Sequence, residues 1–151
     1  MHNPRMPETK RHISATDRIG NGIVAGFIAT FVMSALHEPV ALVTAAVGMH
    51  APVGLLFHFF VGTLLWGSLF GLLHDWLAGP SWLRGIVFGF VAALAVLFVI
   101  APLAGSGLLC LKLGVFAPIV VAFFHVGYGA ILGLVYGKLL DTDEARYAAH
   151  Q

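Results

Sequence analysis

A chain of 151 residues that is 59% hydrophobic and only 10% charged lies outside the range of soluble domains, in which about a quarter of residues are charged. The composition is that of a membrane protein. A formal net charge of +1 supplies no basic surface, so the expected partner is the lipid bilayer and no nucleic acid. There is no phosphate-cradling glycine loop and no G-x-S-x-G elbow. The single cysteine, Cys110, leaves no disulfide framework, Cys-based zinc site or C-x-x-C-H haem attachment. Any cofactor is expected to be held by nitrogen, oxygen or methionine sulfur.

Residues 1–18 form a polar tail holding Arg5, Lys10, Arg11 and Arg18. The apolar run behind it is far longer than the roughly 7–15 residues of a signal-peptide core, and reads as a retained first span. A span needs roughly 20 mainly apolar residues, and four stretches qualify: 19–47, 53–77, 82–103 and 115–140. Their connections, "GMHAP", "AGPS" and the glycine-rich "AGSGLLCLKLG", carry turn residues. The expected fold is all-α, a four-transmembrane-helix bundle over residues 19–140, followed by a C-terminal tail at 141–151. Seven of the eight Lys and Arg residues fall on the tail side and Lys112 alone on the other. The positive-inside rule therefore places both termini in the cytoplasm and the outer loops across the membrane. Trp76 and Trp82 bracket a turn at the interface, whereas Trp66 falls in mid-membrane as core.

Glycines recur every fourth residue, as Gly22 and Gly26, Gly67 and Gly71, Gly85 and Gly89, and Gly129, Gly133 and Gly137. That spacing puts each set on one helix face and predicts close helix packing. The chain also matches itself. "GIVAGFIA" at 22–29 answers "GIVFGFVA" at 85–92, which sets Pro39 on Pro102, and "APVGLLFH" at 51–58 answers "APIVVAFFH" at 117–125. The expectation is a tandem parallel repeat of two-helix hairpins, repeat one 19–77 and repeat two 82–140, with His58 and His125 as symmetry mates. Each histidine is followed four residues later by a glycine, Gly62 and Gly129.

The stretch "FVMSALHEPVALV" at 31–43 places His37, Glu38 and Pro39 side by side inside an apolar run. The proline is shared by the two halves and the polar pair is not. At 1.5 Å per residue, His37 lies about 22 Å above Gly22, His58 about 9 Å below Pro52 and His125 about 10 Å below Pro118. Three histidines and one glutamate are thus expected at similar depths in the outer half, and intramembrane ionisable groups are costly enough to point to function.

Three functions compete. In the first, His58 and His125 bind haem b, with Gly62 and Gly129 leaving room for the macrocycle and Lys112 and His50 near its propionates. A variant is a transition metal ion held by His37, Glu38, His58 and His125, a nitrogen-rich set suited to copper, zinc or iron. In the second, the cluster lines a proton or ion route in an oligomer, with His74 and Asp75 at its cytoplasmic mouth, although those two read more simply as an interfacial anchor. In the third, the chain is an accessory or assembly subunit packing on other membrane subunits, or on its own copies, through glycine-lined faces. At "HFFVGTLLWGSLFGLL" and "APIVVAFFHVGYGAILGLVYG" the chain resembles an uncharacterised bacterial family of small four-span inner-membrane proteins, a domain of unknown function. The resemblance covers about 20–140 and implies that topology and location, with no reaction attached.

Overall fold

The structure is a computed structural model that describes residues 14–35 and 51–149. His37, Glu38 and Pro39, the outer part of the expected first span, and His50 lie outside the described residues. Helix α1 spans Ala15–Ser34 and opens on a cap in which Ser14 Oγ accepts the Asp17 backbone N–H at 3.1 Å. The cap satisfies one of the four N–H groups that the first turn leaves unpaired.

Helix α2 is one continuous run in three parts: α-helical over Ala51–Phe60, π-helical over Val61–Trp66 and α-helical again over Gly67–Leu73. It closes in a short tight turn, His74–Trp76. Helix α3 is likewise α-helical over Ser81–Ala95, π-helical over Val96–Ile100 and ends in Ala101–Leu103. The widened turn sits immediately before Pro102. Proline has no N–H to offer the preceding turn, and its ring crowds that turn's carbonyl. The chain accommodates this by widening rather than by breaking, which is the usual use of a single π turn. Helix α4 runs unbroken over Ala117–Ala149. The helix therefore continues beyond residue 140 for two further turns.

All described elements are helical, and three helices are long and apolar enough to cross a membrane, over Pro52–Trp76, Ser81–Leu103 and Ala117–Arg146. Helix α1 packs beside them, against both α2 and α4, while α3 and α4 form the most extensive pair. The first turns of α1 and the last turns of α4 lie at the same end of the bundle, where Asn21 Nδ2 donates to Asp143 Oδ2 at 2.9 Å. Large apolar side chains point outward, among them Phe31, Leu56, Phe60, Phe90 and Phe123. Such a continuous apolar exterior suits lipid rather than water.

The expected glycine packing is present in both helix pairs. A Cβ added at Gly22 would strike the Gly67 carbonyl oxygen, and one at Gly85 would strike the carbonyl oxygen of Gly129. The partners are backbone atoms that cannot swing away, so only glycine permits the approach. The core behind this seam is aromatic, with Phe70 and Tyr136 fully buried and their ring centroids 5.3 Å apart in a T-shaped pair.

Candidate functional site

A cavity of about 140 Å³ lies inside the bundle, towards the end opposite the chain termini. All four helices reach it: Thr30 and Met33 from α1, His58 and Gly62 from α2, Val96 and Ile100 from α3, and His125 and Tyr128 from α4. The two π-helical turns therefore both face this space. Its lining is almost wholly apolar and, among the described residues, contains no carboxylate.

The two histidines differ in their bonding. His125 Nδ1 stands 2.8 Å from the Val121 carbonyl oxygen, one turn earlier in α4. A carbonyl only accepts, so Nδ1 carries the proton and donates, which leaves the lone pair on Nε2. His58 Nε2 is buried and has no hydrogen-bond partner among the described residues. An unpaired polar atom in such a place costs about 1–3 kcal/mol. Beside them, Tyr128 donates its hydroxyl to the Gly62 carbonyl at 2.6 Å. The same carbonyl accepts the Gly67 N–H in the wide pattern of the π turn. Tyr128 thus locks α4 onto the irregular turn of α2.

Sequence matching pairs His58 with His125, but the glycine contacts set a different register. Gly67 faces Gly22 as Gly129 faces Gly85, and Gly71 and Gly133 follow one turn on. In that register His125 answers Thr63, and His58 stands one turn farther towards the cavity end of the bundle. His58 stands nine residues before Gly67 and His125 four before Gly129, and the π turn at Val61–Trp66 accounts for one residue of that difference. The imidazoles line one cavity from positions staggered by about 5 Å along the bundle rather than from equal depth.

The glycines also serve differently from the expectation that they clear space for a macrocycle. A Cβ on Gly62 would strike the Thr30 side chain, and one on Gly129 would meet the backbone of Gly85 and Gly89. Both are used in helix contact. Lys112, expected near propionates, instead donates from Nζ to the Gly105 carbonyl at 2.9 Å and closes its own loop. That loop includes Leu109 and Cys110 at φ 59° and 58°, the left-handed region that costs non-glycine residues energy. The strained turn carries Cys110 inward, where it is 1% exposed and lines the cavity. Burial pushes its thiol up from the usual value. Met33, Cys110 and Tyr128 were not among the expected site residues. The sequence held a signal only for Tyr128, which follows His125 by three residues on the same helix face.

At the opposite end, His74 is 3% exposed and forms a hub. Asp75 Oδ1 lies 3.0 Å from its Nδ1 and Ser81 Oγ lies 3.0 Å from its Nε2. Arg84 donates to the His74 carbonyl at 3.1 Å, and Asp75 pairs with Arg18 of α1. The order carboxylate, imidazole, hydroxyl resembles a hydrolytic relay. However, Ser81 is packed over Gly137, where an added Cβ would lie 2.9 Å from the Ser81 Cβ. The hydroxyl is part of a helix junction that ties α1, α2 and α3 together. Among the described residues, no three His, Cys, Asp or Glu side chains converge to hold a metal ion.

The chain belongs to the DUF6789 family, a family of unknown function, whose pattern matches residues 16–147. No curated protein and no solved structure matches it.

Proposed function

We propose that this member of the DUF6789 family is an integral protein of a bacterial inner membrane that binds a transition metal ion between α2 and α4 through His58 and His125. In this reading α1 is the first of four spans, the two hairpins descend from one duplicated unit, and both termini are cytoplasmic. The excess of Arg and Lys on the terminal side supports that orientation. The similar glycine seams of the α1–α2 and α3–α4 pairs support the duplication.

One observation carries the metal site: two imidazoles line the same apolar cavity, one with Nδ1 engaged and Nε2 left to coordinate, the other with a buried, unpartnered Nε2. Ligating histidines commonly donate their second N–H to a carbonyl, which fixes the ring and raises its basicity. His37 and Glu38, outside the described residues, remain in the proposed donor set. Size bears on the two cofactors expected from sequence. A cavity of about 140 Å³ falls well below the roughly 300 Å³ at which drug-sized ligand pockets begin. The volume and the occupied glycine faces favour a bare ion over haem b.

The test is elemental analysis with a visible spectrum on protein purified in mild detergent from cells supplied with ample haem and metals. The expected result is a stoichiometric transition metal without a Soret band. His58→Ala and His125→Ala each lose the metal while His74→Ala keeps it. A metal-free wild type, or equal retention in all three variants, overturns the assignment, and a Soret band with stoichiometric iron replaces it with haem.

A further inference from the structure

The loop that joins α3 to α4, residues 104–116, is apolar on both of its sides. Inward, the buried Cys110 packs in a cluster with Leu97, Ala101, Ala117 and Val121. Outward, Leu108 and Leu111 are 56% and 52% exposed, and Val115 and Phe116 73% and 72%. A loop bathed in water keeps a polar outer side, and a contiguous apolar patch marks a surface for protein or membrane. We infer that this loop is a wedge inserted in lipid, seated at the boundary of headgroups and acyl chains in the leaflet opposite the chain termini. The inference does not depend on the histidine site.

The backbone of the loop is closed on itself, as it must be where water is scarce. The N–H of Ser106 donates to the Ala101 carbonyl at 2.9 Å, that of Lys112 to Ser106 at 3.3 Å and that of Gly114 to Leu111 at 3.2 Å. Lys112, the one charged residue of the loop, is turned in the same way, with Nζ on the Gly105 carbonyl. The loop therefore offers no free charge to an acidic partner or to lipid phosphates, and its outer contact is apolar. Depth agrees. Leu103 stands 21 residues after Trp82, an indole suited to the opposite interface. At 1.5 Å per residue that is about 32 Å, close to the ~30 Å of a hydrocarbon core, so the loop begins where headgroups do. The patch is also continuous with the apolar exterior of α4, since Ile119 and Phe123 follow it at 66% and 70% exposed. Continuity with that lipid-facing wall favours lipid over a separate protein partner.

The experiment places a nitroxide on Leu108→Cys, Leu111→Cys and Phe116→Cys, each in the full chain reconstituted at high dilution in phosphatidylcholine vesicles. Cys110 is 1% exposed, so the new thiol is the one that the reagent reaches; a Cys110→Ala background replaces it if labelling exceeds one per chain. Glu144→Cys, exposed among the charged residues near the C-terminus, is the aqueous reference. Relative collision with oxygen and with a water-soluble nickel chelate reads the depth. The loop nitroxides are expected about 5–10 Å below the lipid phosphates, unchanged by added salt or by anionic phosphatidylglycerol, with Glu144→Cys in water. Loop nitroxides at or above the phosphates overturn the inference, as does insertion that needs anionic lipid. Shielding from both reagents overturns it in favour of a second copy seated on the loop. The three positions are read separately, so a variant that misfolds leaves the other two to decide.

Discussion

The glycine seam between α3 and α4 sets a stability threshold that one methyl group exceeds. In Gly85→Ala the new Cβ would overlap the Gly129 carbonyl oxygen and stand 2.8 Å from both the N and Cα of Gly133. All three obstacles are backbone atoms of a helix that is itself packed on its far side, so relief requires the two helices to part. Overpacking of this kind typically costs 1–3 kcal/mol, and rigid partners put Gly85 at the upper end, about 3 kcal/mol. Alanine returns about 1 kcal/mol through its higher helix propensity. The net is a loss of about 2 kcal/mol, or roughly 4–8 °C in Tm for a chain of this size. Gly20→Ala is the matched control, because nothing lies within 4 Å of its added Cβ and only the propensity gain of up to ~1 kcal/mol remains. The assay is thermal unfolding in detergent followed by a thiol-reactive fluorophore. Cys110 is the only thiol and is 1% exposed, so dye fluorescence rises only as the bundle opens. An unchanged or higher Tm for Gly85→Ala, or an equal fall for Gly20→Ala, would refute the reasoning.

Asp75→Ala removes the acceptor shared by Arg18 and His74, and because that carboxylate is 47% exposed the expected loss is only about 1 kcal/mol. The same dye assay in low and high salt checks it, since screening is expected to narrow the gap between variant and wild type.

Much of the fold is legible in the amino-acid order. Apolar runs of span length, turn residues between them and glycines every fourth residue each report a local property, and the described α2, α3 and α4 follow them. Depth along the helices is less legible. The match of "APVGLLFH" with "APIVVAFFH" is correct as letters, but a helix converts letters to height only while every turn holds the same number of residues. The glycine contacts set a register five residues away from the letter match, and the π turn at Val61–Trp66, which adds one residue of that difference, is announced by no composition rule, because Val, Gly, Thr, Leu and Trp suit an α-helix equally well in lipid. Pro102 does announce the other wide turn, at Val96–Ile100, since a missing N–H has a fixed consequence one turn earlier. Met33 and Cys110 were illegible for another reason. Their place at the cavity depends on which face of α1 meets α4 and on a left-handed turn at Leu109 and Cys110, and both are properties of packing rather than of spacing.

The two wide turns and the cavity form one arrangement. A regular α2 packed along its whole length on Gly22 and Gly26 would continue the close seam upward, and regular helices in close contact leave no room between them. The π turn at Val61–Trp66 shifts the upper part of α2 relative to the lower while Tyr128 holds its carbonyl at Gly62. The turn at Val96–Ile100 does the same for α3 just below Pro102. Close glycine contact in the lower half therefore gives way to separation in the upper half, with Cys110 and its loop folded over the space. The irregular turns cost helix regularity in a solvent that cannot repair a broken backbone hydrogen bond. Tyr128 is the side chain that compensates in α2, and it is also a wall of the cavity. The wide turn of α2 and the cavity it opens are the structural reason for proposing function at His58 and His125 rather than at the tightly bonded hub around His74.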